Sequence, residues 1–273
     1  MAPVTVQGSG GGCARDVIKA VLFDLGDTLW HFPSMPPHIL VREETVRRIN
    51  ALLRRWGIEP DGPLFFLGRD IRVAVERETA AAYRTDHVSP DYLDLCAEIA
   101  GSFGLRLTEE QTHELWDAWN LGGRFFGRTL FSDALDTLCW LKEHGLKLGA
   151  VTDRAFGGPR FMAELAEYGL DGYLQEVTIS SSVGYLKPHP RIFQHALDAL
   201  AVAAEETVMV GDSLRCDVAG AKGLGMVAVW KRPPLDEPTE LGADKVDVEG
   251  EIAPDYIIDN LWELTQLPVL NHG

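Results

Sequence analysis

The sequence lacks an apolar run long enough to cross a membrane, and its cysteines lack any paired spacing. No stretch approaches the roughly 20 apolar residues that a membrane-spanning helix needs. The four cysteines stand singly at Cys13, Cys96, Cys139 and Cys216. A reduced, cytoplasmic chain without structural zinc is therefore expected. Residues 1–16 are rich in glycine and lack the charged-then-apolar pattern of a secretory signal, so a flexible N-terminal tail is expected there.

Positive charge is also scarce. The 273 residues include 25 lysines and arginines against 41 acidic residues, which gives a formal net charge of −16. This balance argues against a nucleic-acid partner or an anionic membrane surface, although a local basic pocket is still able to hold a phosphate group. The chain is long for one domain, so a core domain with a smaller inserted or appended domain is expected. Nothing in the composition fixes an oligomeric state.

A short apolar run, Val21 to Phe23, is followed at once by polar residues. Its β-forming side chains predict a central strand that is buried on both faces. Asp24 ends this run, and Gly26 and Asp27 follow. Ligands of an open parallel sheet bind beyond the carboxyl ends of its strands, so Asp24 is a candidate catalytic residue. An Asp and a Gly after a strand are also ordinary turn residues, so this stretch does not decide the matter alone.

Residues 31–128 are predicted to form a separate helical domain. Four helices are expected in order: one with an apolar face of Val46, Ile49, Leu53 and Trp56, then 65–87, 90–103 and 108–120. The last begins with a capping-box pattern at Thr108 and Gln111. Trp116 and Trp119 are three residues apart on this helix and are expected to lie in the interior of the domain.

From residue 129 onward strands and helices alternate. The predicted strands are 146–151, 174–180, 207–210, 226–230 and 256–258, and the predicted helices are 133–144, 159–168, 191–200, 216–224 and 261–267. Such alternation is typical of a parallel sheet with helices on both faces. The expected fold is α/β: a doubly wound parallel sheet from residues 17–30 and 129–273, with the helical domain inserted. Residues 231–254 are rich in proline, glycine and acidic residues and are expected to form a surface excursion.

Five polar residues fall at or near the carboxyl edge of the predicted sheet: Asp24, Thr152, Lys187, Asp212 and Asp217. Each has an ordinary structural explanation, such as a helix N-cap or a solvated lysine. Together they suit phosphoryl transfer, because a carboxylate attacks phosphorus while a hydroxyl and an ammonium hold the phosphoryl oxygens. A divalent cation held by Asp24 and Asp212 would offset the repulsion between anions, and Mg²⁺ is the cation that suits hard oxygen ligands.

The sequence resembles the haloacid dehalogenase-like (HAD) hydrolases. The matching segments are Phe23-Asp24-Leu25-Gly26-Asp27-Thr28-Leu29, Val151-Thr152-Asp153, Gly184-Tyr185-Leu186-Lys187-Pro188-His189-Pro190 and Gly211-Asp212-Ser213-Leu214-Arg215-Cys216-Asp217. They correspond in order to the four motifs of the family, and the resemblance covers residues 18–267. It implies a Rossmann-like core, and it implies that residues 31–128 are a helical cap of the C1 type.

The resemblance also implies a role for each motif residue. Asp24 corresponds to the nucleophile, and Thr152 and Lys187 correspond to the residues that bind phosphoryl oxygens. Asp212 and the backbone carbonyl of Gly26 correspond to metal ligands. Asp217 corresponds to a residue that assists at the metal or supports the lysine. Asp153 stands next to Thr152 where the family commonly has Asn, which places a negative charge at the expected substrate-binding pocket. The implied activity is Mg²⁺-dependent hydrolysis of a small phosphorylated metabolite through an aspartyl-phosphate intermediate.

One position departs from the family pattern. Family phosphatases usually carry a second Asp two residues after the nucleophile, as general acid and then general base. Gly26 occupies that position, and the nearest acid is Asp27, one residue later. Proton transfer of this kind contributes about 10²–10⁴-fold to a rate. Because a shift of one residue changes the direction of a side chain, Asp27 is not assumed to replace the missing acid.

Other activities of the superfamily are weighed against the same residues. A haloacid dehalogenase needs no acid for its leaving group, so Gly26 suits it, whereas Asp212 keeps a metal carboxylate that the family's dehalogenases lack. Phosphonate cleavage through a Schiff base needs a cap lysine, and residues 31–130 contain twelve arginines and no lysine. A third alternative is an impaired HAD core that binds phosphate or a partner. Candidates for substrate contacts, by proximity to the first motif alone, are Trp30, His31, His38 and Arg42.

Overall fold

The computed structural model describes residues 17–233 and 252–271. The strands are β1 (Ala20–Phe23), β2 (Trp30–His31), β3 (Thr129–Leu130), β4 (Lys147–Thr152), β5 (Glu176–Ile179), β6 (Thr207–Gly211), β7 (Val227–Lys231) and β8 (Tyr256–Ile258). The α-helices are α1 (His38–Arg55), α2 (Leu67–Arg84), α3 (Tyr92–Ser102), α4 (Glu109–Trp119), α5 (Ala134–Glu143), α6 (Gly158–Glu167), α7 (Ser180–Val183), α8 (Pro190–Leu200) and α9 (Ala219–Leu224). The expected tail of residues 1–16 and residues 234–251 of the expected excursion lie outside the described residues. Among the helices described, none has the length and apolar character needed to cross a bilayer.

Six strands form one parallel sheet in the order β5-β4-β1-β6-β7-β8. The first strand of the chain lies in its middle, where Phe23 pairs with Ala150 on one side and Val210 on the other. All four residues of β1 are fully buried, which is why this strand is an uninterrupted apolar run. Helices of the same part of the chain flank the sheet, so the predicted α/β fold, with a doubly wound parallel sheet, is confirmed.

Several local features differ from the sequence prediction. The predicted helix 261–267 is a 3₁₀-helix over Leu261–Gln266. The predicted helix 216–224 begins earlier, with a π-helical turn from Leu214 to Val218 that leads into α9. The predicted strand 174–180 is shorter, because its last residue starts the one-turn helix α7. The two-residue strands β2 and β3 form a small antiparallel pair that the sequence did not predict. Two residues are too few for a periodic pattern to be recognised.

The chain divides into two compact units, one of residues 34–128 and one of the residues on either side of them. The unit of residues 34–128 contains α1 to α4 and a short 3₁₀-helix at Gly62–Phe66, and all six strands of the large sheet belong to the other unit. The capping box predicted at Thr108 and Gln111 is present at the start of α4. The cap role of this unit stays a prediction.

Two arginines hold the C-terminal end of α4. Arg72 on α2 donates to the backbone carbonyl of Trp119 at 3.1 Å and to the hydroxyl of Thr45 at 3.0 Å. Arg48 on α1 donates to the carbonyls of Asn120 and Leu121 at 3.3 and 3.4 Å. The last carbonyls of a helix have no partner within the helix and carry partial negative charge, so guanidinium donors stabilise this end.

The buried guanidinium of Arg72 also begins a stack of rings. It lies 4.3 Å from the centre of the Trp119 ring, which stacks on Trp116 at 4.5 Å, and Trp116 stacks on Tyr92 at 5.8 Å. Burial lowers the pKa of Arg72 to about 10, so it remains charged at neutral pH. The two tryptophans lie inside the domain, as the sequence predicted.

Replacing Arg72 with Met is expected to destabilise the protein by about 1–3 kcal/mol, because the carbonyl of Trp119 is left buried without this donor. The matched control is Arg69→Met on the same helix, where an exposed guanidinium lies 4.7 Å from the Phe66 ring. The control is expected to cost less than about 0.5 kcal/mol. The free energies of unfolding are measured by urea denaturation, and equal costs for the two variants would contradict the assigned role of Arg72.

Candidate active site

The polar residues after β1, β4 and β6 meet at one edge of the sheet. Asp24 follows β1, Thr152 is the last residue of β4, and Asp212 follows β6. Because these parallel strands are neighbours, their carboxyl ends lie side by side. The backbone N–H of Asp24 donates to the carbonyl of Val210 at 2.9 Å, which continues the pairing of β1 and β6 up to the site. All three residues are buried.

Three carboxylates form a cluster at this edge. One oxygen from each of Asp24, Asp212 and Asp217 lies within 4.8 Å of the other two, and all three residues are buried. Such an arrangement of like charges requires cations, because mutual repulsion in a buried site otherwise disfavours ionisation of all three.

Lys187 supplies one of those cations. Its ammonium is buried and donates to Asp24 Oδ1 at 2.5 Å and to Asp217 Oδ1 at 2.7 Å. Burial would lower the pKa of Lys187, but the nearby carboxylates of Asp217, Asp24 and Asp153 outweigh burial and hold the pKa well above its usual value. The structure therefore does not support a solvated loop lysine at this position; the residue is a fixed positive charge at the cluster.

Asp217 is positioned by its own loop as well as by Lys187. The backbone N–H of Ser213 donates to Asp217 Oδ2 at 3.0 Å. Gly211 lets this carboxylate approach the end of β6, because a Cβ at residue 211 would lie 2.2 Å from Asp217 Oδ2. Burial raises the pKa of Asp217, while the ammonium of Lys187 opposes that rise.

Asp153 makes a contact that the sequence did not reveal. Both of its carboxylate oxygens accept the backbone N–H of Lys187, at 3.1 and 3.2 Å. The negative charge next to Thr152 therefore fixes the loop that carries the lysine. A role of Asp153 in substrate binding stays a prediction, as does that of Thr152.

The four candidates for substrate contacts differ in burial and in the compact unit to which they belong. Trp30 is fully buried and packs edge-on against Phe161 at 6.3 Å, and a role in substrate contact stays a prediction. His31 is partly exposed and stacks on Phe131 at 4.4 Å. His38 and Arg42 lie on α1, in the unit of residues 34–128.

Two residues at the end of β7 contact the loops of the site, and the sequence analysis did not identify them. Trp230 Nε1 donates to the backbone carbonyl of Asp212 at 2.8 Å, and Lys231 Nζ donates to the carbonyl of Asp27 at 3.0 Å. The single signal in the sequence was their place at the end of a strand predicted to follow the strand of Asp212. Asp27 itself has a φ of 52° and is buried, which is a conformation that Asp adopts more readily than most residues.

The carboxylate cluster fits a hard divalent cation. Its donors are oxygens, and ions that bind oxygen at about 2.1–2.5 Å span up to about 4–5 Å between opposite ligands. The formal charge of the three carboxylates with Lys187 is −2, which a divalent cation balances. The residues that could hold it are Asp24, Asp212 and Asp217, with the backbone carbonyl of Gly26 as the fourth expected ligand.

Comparison with known proteins identifies the family of the chain. The model of the haloacid dehalogenase-like hydrolase family matches residues 18–225, which include all four motif segments. The chain belongs to this family. The resemblance recognised in the sequence is thereby confirmed, and the protein is a HAD-like hydrolase.

Relatives of the HAD-like chain include named phosphatases. It is 32% identical over 249 residues to a glyceraldehyde 3-phosphate phosphatase of Methanopyrus kandleri, which covers 91% of this chain and 96% of the relative. A phosphoserine phosphatase of Thermus thermophilus is 31% identical, over 78% of this chain and 88% of that protein.

Solved structures similar to this chain include a phosphatase and a dehalogenase of the superfamily. A HAD phosphatase from Thermococcus onnurineus shares 29% identity at a TM-score of 0.52, over 91% of this chain and 97% of its own. A 2-haloacid dehalogenase from Pseudomonas syringae shares 25% identity at a TM-score of 0.58, over 93% of this chain and 98% of its own. Fold similarity alone does not choose between the two chemistries, so the choice depends on the residues of the site.

Proposed function

We propose that the protein is a Mg²⁺-dependent phosphatase that hydrolyses a small phosphate monoester through an aspartyl-phosphate intermediate. The observation that carries the proposal is the buried cluster of Asp24, Asp212 and Asp217 with the ammonium of Lys187 between two of them. A halide leaves without help from a metal, so dehalogenation gives the metal carboxylate Asp212 no task. The cluster suits a phosphoryl group, whose charged oxygens need a cation beside them.

The side chains divide the work of the first step. Asp24 attacks phosphorus while the bond between phosphorus and the leaving oxygen breaks. The leaving group departs as an oxyanion and takes its proton from water. Lys187 holds Oδ1 of Asp24, which orients the carboxylate and places a positive charge beside the transferred group. The hydroxyl of Thr152 would donate to a phosphoryl oxygen. Water then attacks phosphorus, inorganic phosphate leaves and the carboxylate of Asp24 is restored.

Mg²⁺, when bound, would neutralise charge on the phosphoryl oxygens and lower the repulsion between the substrate and Asp24. The residues that would hold it are Asp24, Asp212, Asp217 and the carbonyl of Gly26, and Asp217 also keeps Lys187 in place. Asp212 is expected to contribute to metal binding chiefly through its charge.

Replacing Asp212 with Asn is therefore expected to raise the Mg²⁺ concentration for half-maximal turnover by about 10-fold or more. The matched control is Asp136→Asn, an exposed carboxylate on α5, which should leave the metal dependence unchanged. Turnover is followed by phosphate release over a titration of MgCl₂. Full activity of the unaltered protein in excess chelator would contradict the metal requirement.

The substrate class comes from the named relatives. Their names specify glyceraldehyde 3-phosphate and phosphoserine, which are small phosphorylated metabolites, and we extend this class to the present chain. The deciding experiment measures phosphate release from both compounds and from p-nitrophenyl phosphate, with Mg²⁺ and with chelator. Chloride release from 2-chloropropionate is measured in parallel.

Each alternative has its own outcome in this experiment. Metal-dependent phosphate release supports the phosphatase. Chloride release that is insensitive to chelator would instead identify a dehalogenase, which the absence of an acid at Gly26 would suit. Binding of phosphate without any turnover would identify an impaired HAD core. The proposal includes closure of residues 31–128 over the core as a cap and a cytoplasmic location, and it includes no nucleic-acid or membrane partner.

A further inference from the structure

The last two residues of β7 lie beside the two loops that carry the carboxylate cluster. Trp230 donates through Nε1 to the backbone carbonyl of Asp212, and Lys231 donates through Nζ to the backbone carbonyl of Asp27. Successive residues of a strand point to opposite faces of its sheet. At the end of β7, Trp230 thus contacts the loop after β6, and Lys231, which points to the opposite face of the sheet, contacts the loop after β1.

Lys231 is an unusual residue for the interior of a protein. Only 1% of its surface is exposed, and its ammonium lies 3.6 Å from the centre of the Phe131 ring as well as 3.0 Å from the carbonyl of Asp27. Burial of a lysine is costly, so a buried lysine needs strong partners. Here a carbonyl and the face of an aromatic ring provide them. The carbonyl that it holds belongs to the residue after Gly26, at the turn where Asp27 adopts a positive φ.

Trp230 anchors the second loop from a different environment. Its ring is partly buried and packs against an apolar cluster that includes Met209 on β6 and Val218 in the π-helical turn. The indole N–H is thereby held in one place, and the carbonyl that it binds belongs to Asp212 itself. Since the backbone of Asp212 is fixed at this point, its carboxylate has less freedom to turn away from Asp24 and Asp217.

We infer that Trp230 and Lys231 are positioning residues for the metal site, which hold the backbone of the Asp212 loop and of the Gly26–Asp27 turn at the separation that one cation needs. The inference rests on the proposed function, because it assigns these residues to the preorganisation of the same carboxylates. Neither residue belongs to the four motif segments. Loss of groups that orient metal ligands costs about 10–100-fold in metal affinity or activity in other proteins.

The test uses the full chain and two conservative variants. Trp230→Phe keeps an aromatic ring and removes the N–H, and Lys231→Met keeps an unbranched chain and removes the ammonium. Matched controls are Trp262→Phe, an exposed tryptophan, and Lys142→Met, an exposed lysine. Lys142 also donates to a backbone carbonyl, that of Gly172 at 2.7 Å, and lies 5.7 Å from the Tyr173 ring. The controls therefore remove the same chemical groups away from the site.

Two measurements are made on metal-free protein. Isothermal titration with MgCl₂ gives the metal affinity, and amide hydrogen exchange gives the mobility of each loop. We expect each of the two variants to weaken Mg²⁺ binding by about 10-fold or more, with the controls unchanged. Exchange should accelerate in the peptide of residues 24–29 for Lys231→Met and in the peptide of residues 212–217 for Trp230→Phe. At saturating Mg²⁺ the KM for substrate should stay close to that of the unaltered protein.

The result that overturns the inference is unchanged Mg²⁺ affinity together with unchanged exchange in both variants. If Lys231→Met fails to fold, Trp230→Phe alone decides, because Trp230 is only partly buried and phenylalanine keeps an aromatic ring at that position. The proposed function fails separately, through absence of metal-dependent phosphate release in the unaltered protein. In that case the exchange of the two loops still reports whether Trp230 and Lys231 hold them.

Discussion

Replacement of Asp24 with Asn is expected to lower turnover by about 10⁴-fold or more, because loss of a nucleophile removes the chemical step itself. The amide cannot attack phosphorus, and it cannot serve as an anionic metal ligand. The carboxylate is buried and held by Lys187 at 2.5 Å, so the proposed nucleophile is already oriented. Phosphate release from glyceraldehyde 3-phosphate and p-nitrophenyl phosphate measures the effect.

Two further observations separate chemistry from folding in this variant. The exposed carboxylate of Asp171 supplies the control Asp171→Asn, which should retain full turnover. In the unaltered protein, rapid acid quenching during turnover should yield a phosphorylated peptide that contains Asp24, identified by mass spectrometry. Full activity of Asp24→Asn, or phosphate attached to another residue, would end the covalent-aspartate hypothesis.

The substitution Gly26→Asp is expected to raise turnover of alkyl phosphates by about 10²-fold, within the range that general acids contribute. Gly26 offers no side chain to protonate a departing alkoxide. A phenolate or carboxylate leaving group departs as a stable anion and gains little from a proton. The unaltered protein should therefore favour aryl and acyl phosphates, and Gly26→Asp should change their turnover much less. The ratio of kcat/KM for glyceraldehyde 3-phosphate and p-nitrophenyl phosphate measures the preference.

Two further variants test whether the gain comes from an acidic group at residue 26 and whether Asp27 already acts as the general acid. Gly26→Ala adds a Cβ without an acid, and it should not raise alkyl-phosphate turnover. Asp27→Asn should cost little, because Asn also adopts the positive φ of 52° found at Asp27. A loss of about 10²-fold in alkyl-phosphate turnover in Asp27→Asn would show that Asp27 is the general acid. The expected effect of Gly26→Asp would then disappear.

The positions of Asp24, Thr152 and Asp212 were predictable because they depend on a rule of parallel sheets. Each residue ends an apolar run, and the ends of parallel strands meet at one edge. Lys187 lies in an irregular loop, where no periodic pattern fixes direction, so its burial between Asp24 and Asp217 was not predicted. The contact from Lys231 to Asp27 joins residues 204 positions apart. Such contacts depend on the packing of the whole domain, and no local sequence pattern predicts them.

The twelve arginines of residues 31–130 do not share one role. Some of them, such as Arg47 with Glu44, form exposed ion pairs on a helix surface. Arg48 and Arg72 instead donate to consecutive carbonyls at the end of α4. A planar guanidinium with several fixed donors suits this task better than an ammonium, so at these two positions lysine is not an equivalent residue.

The central place of β1 has a consequence for biosynthesis. This strand leaves the ribosome first among the strands of the sheet, yet its neighbours β4 and β6 follow only after residues 34–128 have been made. Helices with mainly local contacts form quickly, whereas pairing across such a distance in the chain is slow. The helical unit is therefore expected to fold while the apolar run of β1 is still unpaired. During that interval the apolar segment that ends at Asp24 needs protection from aggregation.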